Sequence, residues 1–99
     1  MNGAEVRSLR ERYRMSVGCF GELVGVSMST VYRWEASPGD LNIEPLSLRI
    51  MRVMADTFDE AVSRRVASAI AVRGGLYGLY VLLKRVYQPP VTASLSAPP

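Results

Sequence analysis

Polar side chains with recognition chemistry are concentrated in a short stretch with helical spacing, residues 28–35. Val31 and Trp34 fall on one face of that helix. The opposite face carries four side chains: Met28, Ser29, Tyr32 and Arg33. The guanidinium of Arg33 can donate two parallel hydrogen bonds to the edge of a guanine base, and the Ser29 hydroxyl can donate or accept with several bases. This chemistry is noncovalent recognition, of the kind found at nucleic-acid surfaces.

Catalytic and metal-binding residue types are scarce. The 99 residues include no His and a single Cys, Cys19. The acids are not clustered, so a hydrolytic or zinc site lacks the groups that it needs. Neither GxxxxGK nor GxGxxG occurs, so a phosphate-cradling loop is not expected. We therefore expect no enzyme activity, no cofactor and no metal.

The stretch needs a framework of helices to position it. Ser27 is suited to cap the helix that carries it, and Gly25 is suited to end a preceding helix that Ser16 caps. Apolar spacing and cap residues predict five helices, at 4–13, 17–24, 28–35, 45–56 and from 57–59 to 73. The segment 76–87 favours a sixth helix, although its short apolar run also suits a strand. The sequence thus predicts an all-α fold.

Cap residues, a turn glycine and apolar core positions occur together between Met15 and Glu35, at many fixed spacings. This stretch resembles the helix-turn-helix of the lambdoid phage repressor and Cro family, also called the xenobiotic-response-element type, whose members read L-S-x-x-x-L-A-x-x-x-G-V-S-x-x-T-V-x-x-W-E. The matching residues are Met15, Ser16, Phe20, Gly21, Gly25, Val26, Ser27, Thr30, Val31, Trp34 and Glu35. The resemblance covers residues 4–56. It implies a five-helix, repressor-like helix-turn-helix domain, here with an extended or additional C-terminal helix.

The resemblance implies a sequence-specific DNA-binding protein that regulates transcription as a Cro-like repressor. Helix 28–35 would read the major groove of double-stranded DNA, with Thr30 and the first backbone amides on phosphate. The expected DNA-binding residues are Ser27, Met28, Ser29, Thr30, Tyr32 and Arg33. The resemblance also implies a buried ion pair between Arg10 and Glu35, which would fix the fold without touching DNA.

A second hypothesis rests on two departures from the family pattern: Val17 stands where many members have Gln, and Met28 stands where many have a polar residue. A helix-turn-helix with such a face suits an antitoxin or an interaction module, which binds a partner protein such as a toxin instead of, or in addition to, DNA. We also expect a cytoplasmic protein, because no signal peptide is visible and the uncharged apolar run at 74–83 is too short to span a membrane.

The C-terminal third is both apolar and basic. Residues 1–60 hold seven arginines and nine acids, whereas residues 61–99 hold five basic residues and no acid. Homodimerisation would use the apolar residues Leu76, Leu79, Tyr80, Leu83 and Tyr87; alternatively, this segment folds back on the fourth and fifth helices. The basic residues would flank DNA or meet an acidic protein. The predicted organisation is a DNA-binding core at 1–56, a C-terminal helical segment at 57–88 and a disordered tail at 89–99.

Overall fold

The computed structural model describes residues 1–87, with side chains described as far as Lys84, and every regular element in that part is a helix. In chain order the helices are α1 (Gly3–Arg12), α2 (Val17–Val24), α3 (Met28–Ala36), α4 (Pro45–Asp56), α5 (Glu60–Arg73) and α6 (Gly75–Tyr87). The all-α prediction is confirmed, and the ambiguous segment 76–87 is a separate helix. The predicted tail at 89–99 lies outside the described residues. None of the described helices is long and apolar enough to cross a membrane.

Local side-chain caps explain where four of these helices begin. Ser16 accepts from the Cys19 amide and Ser27 from the Thr30 amide, as their positions predicted. Asn2 and Glu5 form a reciprocal capping box at the start of α1, and Asp59 accepts from two amides of α5. Each cap of this kind stabilises a helix by about 1 kcal/mol. Helix α4 instead begins with Pro45, whose fixed φ suits the first helical position.

One apolar cluster holds the six helices together. It includes Phe20 from α2, Val31 from α3, Met51 from α4, Val66 from α5 and Leu82 from α6, each with no exposed surface. Ile43 joins the cluster from the connection between α3 and α4, which the sequence predicted only as a loop. Residues from both predicted segments, 1–56 and 57–88, therefore share a single core.

Helix α6 packs on α5, as the second of the two predicted alternatives has it, but its other main partner is α2 and not the predicted α4. The close approach uses glycine, because a Cβ at Gly75 would overlap the carbonyl oxygen of Glu22 in α2. Gly78 is buried in the same way against the side chain of Ile70 in α5, and Leu82 is fully buried. The C-terminal helix thus completes the core while leaving part of its surface uncovered.

Tyr13 joins α1 to two later helices. Its ring is fully buried and meets the edge of the Phe58 ring at a centroid distance of 5.3 Å. Its hydroxyl donates to the Met54 carbonyl oxygen of α4 at 2.6 Å, and Ser63 of α5 donates to its backbone carbonyl at 3.1 Å. Burial raises the pKa of the Tyr13 phenol, because the tyrosinate would lose its hydration.

The variant Tyr13→Phe is expected to lose about 1–3 kcal/mol of unfolding free energy at pH 7, since the buried Met54 carbonyl loses its donor. The raised pKa adds a pH dependence: its stabilisation is complete below the ordinary tyrosine pKa of about 10 and is lost as the pH rises through the folded-state pKa. Urea unfolding at neutral and alkaline pH measures this dependence. The unfolding free energy should fall less between neutral and alkaline pH in Tyr13→Phe than in the native chain. The exposed Tyr80→Phe is the control. Equal alkaline losses in native chain and Tyr13→Phe would contradict this assignment.

Candidate nucleic-acid interface

A tight turn sets the angle between α2 and α3. Gly25 adopts a left-handed conformation with φ of 82°, and its amide donates to the Gly21 carbonyl at 2.8 Å. The Val26 amide donates to the same oxygen at 2.9 Å. A Cβ at Gly21 would lie 2.7 Å from the Val26 carbonyl oxygen, so glycine is needed for this close approach. The chain then reaches Ser27, which starts α3 in a new direction.

The inner face of α3 is held firmly by α1 and α2. Val31 is fully buried and Trp34 almost so, as the apolar spacing predicted. The Trp34 carbonyl lies against Gly3 of α1, where a Cβ would overlap that oxygen. These contacts fix the rotation of α3 about its axis, and they determine which side chains point outward.

The predicted ion pair between Arg10 and Glu35 forms and anchors the end of α3. The Arg10 Nε donates to Glu35 Oε2 at 2.7 Å and Nη2 donates to Oε1 at 3.0 Å, which is a bidentate arrangement. Nη1 also donates to the Met15 carbonyl oxygen at 3.0 Å, a partner that the sequence did not indicate. The two side chains are 15% and 11% exposed. The hydrogen bonds to Glu35 raise the pKa of the Arg10 guanidinium, against the opposing effect of burial.

The outward face of α3 is open. Met28 and Tyr32 are 51% and 57% exposed, and Ser29 and Arg33 are exposed beside them. Within the part of the chain that is described, the Arg33 side chain makes no hydrogen bond or ion pair. An exposed guanidinium without a partner retains all five N–H donors for an external acceptor.

The two remaining predicted site residues form the helix cap. The Ser27 hydroxyl accepts from the Thr30 amide at 3.2 Å and lies 3.1 Å from the Thr30 hydroxyl. Thr30 is half-buried, and its hydroxyl lies beside that of Ser27 in the cap. The structure thus brings all six predicted residues onto the first two turns of α3, but it assigns two of them to the start of the helix.

The start of α2 borders this face. The Met28 side chain lies over Gly18, with its Sδ 3.4 Å from where a Cβ would stand. Cys19 is half-buried on the same helix, and burial raises the pKa of its thiol, so the reactive thiolate is disfavoured. No group of His, Cys, Asp or Glu arranged to hold a metal ion is found in the described part of the chain.

The predicted dimer residues do not all face one way. Leu76 is 86% exposed and lines a groove of about 190 Å³ together with Leu79 of α6 and Leu46 of α4. Tyr80 is also exposed but stacks on Tyr77, at a ring separation of 6.0 Å. Leu83 is half-buried, and the Tyr87 side chain lies outside the described residues.

A comparison of this chain with protein-family models, curated proteins and solved structures finds no match. The resemblance to the repressor and Cro family therefore rests on the residues between Met15 and Glu35 alone.

Proposed function

We propose that this protein is a sequence-specific DNA-binding transcriptional regulator that reads the major groove with α3. The observation that carries the proposal is the outward face of α3, where Arg33 is exposed beside Ser29 and its side chain has no ion-pair partner among the described residues. The major groove admits one α-helix, and its base edges accept from arginine and serine donors. The arrangement of α2, the turn and α3 supports the proposal, because helix-turn-helix proteins place the second of two such helices in the major groove.

Support also comes from how firmly α3 is held. A base contact depends on a side chain being placed to within a fraction of an ångström, and a mobile helix would lose that placement. Val31, Trp34 and the bidentate Arg10–Glu35 pair hold α3 from behind, while its N-terminal turn is uncovered. The positive end of the helix dipole at that turn is suited to an approaching phosphate.

The regulator is proposed to act as a homodimer, because one small module rarely makes enough base contacts for a specific site. Dimers read two half-sites about one helical turn apart. The exposed Leu46 and Leu76 and the half-buried Leu79 supply an apolar patch next to Ile50 for a second copy. Repression of its own or a neighbouring promoter is the regulatory role that we propose.

Selection of bound duplexes from a random DNA pool, combined with the mass of the protein in solution, tests this function. We expect enrichment of one motif with two related half-sites, binding that weakens steeply with salt, and the mass of a dimer. A selection that enriches no motif, at low as well as moderate salt, would contradict sequence-specific DNA binding.

The variant Arg33→Ala is expected to reduce discrimination between the selected site and unrelated DNA by about 1–3 kcal/mol, because a bidentate base contact is lost. Its affinity for unrelated DNA should change little. Gel-shift titrations of both duplexes measure the difference. Arg52→Ala, on the exposed surface of α4, is the matched control and should preserve discrimination. Equal discrimination by Arg33→Ala and the native chain would exclude Arg33 as a base-reading residue.

A second candidate function is an antitoxin or interaction module, and the exposure of Met28 and Tyr32 favours it. More than half of each of these apolar side chains is uncovered on the same face as Arg33. A partner protein would bury them, whereas base edges make limited use of them. A toxin-like reading frame beside the gene, and a complex whose formation Tyr32→Ser abolishes, would favour this function over DNA reading alone.

A further inference from the structure

The outer surface of the α5–α6 hairpin contains a groove that neither DNA reading nor dimerisation uses. We call it the basic groove; its volume is about 430 Å³, and it is lined by Arg65, Ala69, Val72, Arg73, Tyr77 and Val81. The lining residues recur at intervals of three and four along both helices, so the groove follows the hairpin axis. It is open to solvent along its length, which suits an elongated ligand.

Apolar and cationic side chains line the basic groove together. Val72 is 74% exposed, and Tyr77 is exposed beside it. The Arg73 guanidinium lies 5.1 Å from the centre of the Tyr77 ring, which orients the charge over the aromatic face. Lys84 is exposed on α6, one turn beyond Tyr80. An uncovered apolar surface flanked by positive charges is typical of an interaction site.

The positive charges around the basic groove are not offset by acidic residues from the same part of the chain. Residues 61–99 contain no acid. Glu60, at the start of α5, lies within 4.0 Å of both Arg64 and Arg14, away from the groove lining. Arg65 and Arg73 make no ion pair within the described residues. A ligand that brings carboxylates would therefore meet two cations of the groove lining, Arg65 and Arg73, that no described acid neutralises.

The charge of each possible occupant indicates how well it suits the basic groove. Residues 88–99 contain no Asp or Glu, so they bring no acidic side chain to the groove. A second copy that presented its own α5–α6 hairpin would place like charges opposite each other, which is unfavourable. Duplex DNA would pair with the arginines but would gain little from Val72 and Tyr77, and α3 lies apart, packed on α1 and α2. The surface best fits a ligand with one apolar face and flanking acids.

We propose that the basic groove binds an acidic amphipathic helix of a partner protein. The apolar side of that helix would cover Val72, Tyr77 and Val81, as helices do in apolar grooves. Its Asp or Glu residues, about two helical turns apart, would pair with Arg65 and Arg73, which stand eight residues apart on α5. This interaction leaves α3 uncovered, so the protein can hold a partner while α3 is engaged elsewhere.

The test is a selection from a displayed library of random peptides of about four helical turns, with the full chain as bait. We expect enrichment of sequences with apolar residues at intervals of three and four and with Asp or Glu residues about seven or eight positions apart. An enriched peptide should bind about tenfold more weakly to the double variant Arg65→Gln/Arg73→Gln, since two partly exposed charge pairs are lost. The single variant Arg64→Gln, on the same helix but outside the groove, is the control and should bind as the native chain does.

Several outcomes would overturn the proposal. One is that no peptide is enriched, or that the enriched peptides lack acids. Another is that the double variant binds the enriched peptides as tightly as the native chain does, while its unchanged thermal unfolding shows that it is folded. The double variant and the native chain should also be compared on phosphatidylserine vesicles and on duplex DNA of unrelated sequence. A loss of vesicle or DNA binding in the double variant, without any acidic peptide ligand, would assign the groove to lipid or nucleic acid.

Discussion

Replacing Glu35 with alanine is expected to lower the unfolding free energy by about 3–5 kcal/mol, because it leaves the Arg10 guanidinium largely buried without its charge partner. Arg10 would keep one hydrogen bond, to the Met15 carbonyl oxygen, and lose both bonds to the carboxylate. The loss acts directly on α3, since Glu35 is in its last turn. Chemical denaturation followed by the fluorescence of Trp34 would measure it.

The exposed pair Arg7–Glu11 provides a matched control for this prediction. Its N–O distance is 3.6 Å, and both side chains are more than half exposed. Removing Glu11 should cost less than about 1 kcal/mol, because solvent screens surface pairs. The double variant Arg10→Met/Glu35→Leu should be more stable than Glu35→Ala, since it leaves no buried charge. If Glu35→Ala were no less stable than Glu11→Ala, the pair would not anchor α3 as described.

The variant Gly75→Ala is expected to destabilise the protein by about 1–3 kcal/mol and to loosen α6. A Cβ at this position overlaps the backbone carbonyl of Glu22, and a helix backbone cannot move aside as a side-chain tip can. Helix α6 must therefore shift away from α2, which weakens the packing around Leu82. Chemical denaturation measures the lost unfolding free energy. In the variant, backbone amides should exchange their hydrogens faster in α6 than in α3.

Gly18→Ala is the contrasting variant. Its Cβ would meet only the end of the flexible Met28 side chain, at 3.4 Å. Alanine is favoured over glycine inside a helix by roughly 1 kcal/mol, so Gly18→Ala should be neutral or stabilising. An equal loss of stability in Gly18→Ala and Gly75→Ala would indicate that close approach to α2 is not what requires glycine at residue 75.

Features set by neighbouring residues were predictable from the sequence. The caps at Ser16 and Ser27 and the turn at Gly25 depend on atoms within four residues, so the residue types alone indicate them. The inward positions of Val31 and Trp34 follow from helical spacing, and the outward positions of Ser29 and Arg33 follow with them. The pairing of Arg10 with Glu35 came instead from the family resemblance.

Contacts between distant segments were not predictable in this way. Nothing local to Gly75 identifies Glu22 as its neighbour, and nothing local to Tyr13 identifies the Met54 carbonyl. The basic groove likewise depends on the antiparallel packing of α5 on α6, which brings Arg65 and Tyr77 to one surface. Such contacts depend on how whole helices dock, and a single sequence specifies that only through the summed packing of the core.

The separation of buried and outward-facing residues along α3 affects which substitutions this protein tolerates. The residues that hold the helix and those that face outward are different sets, since Ser29, Tyr32 and Arg33 contribute nothing to the buried cluster. Surface substitutions of this kind usually change stability by less than about 0.5 kcal/mol. We therefore expect that mutations at these three positions alter the surface that α3 presents with little loss of unfolding free energy. This makes the outward face of α3 a suitable starting point for directed evolution.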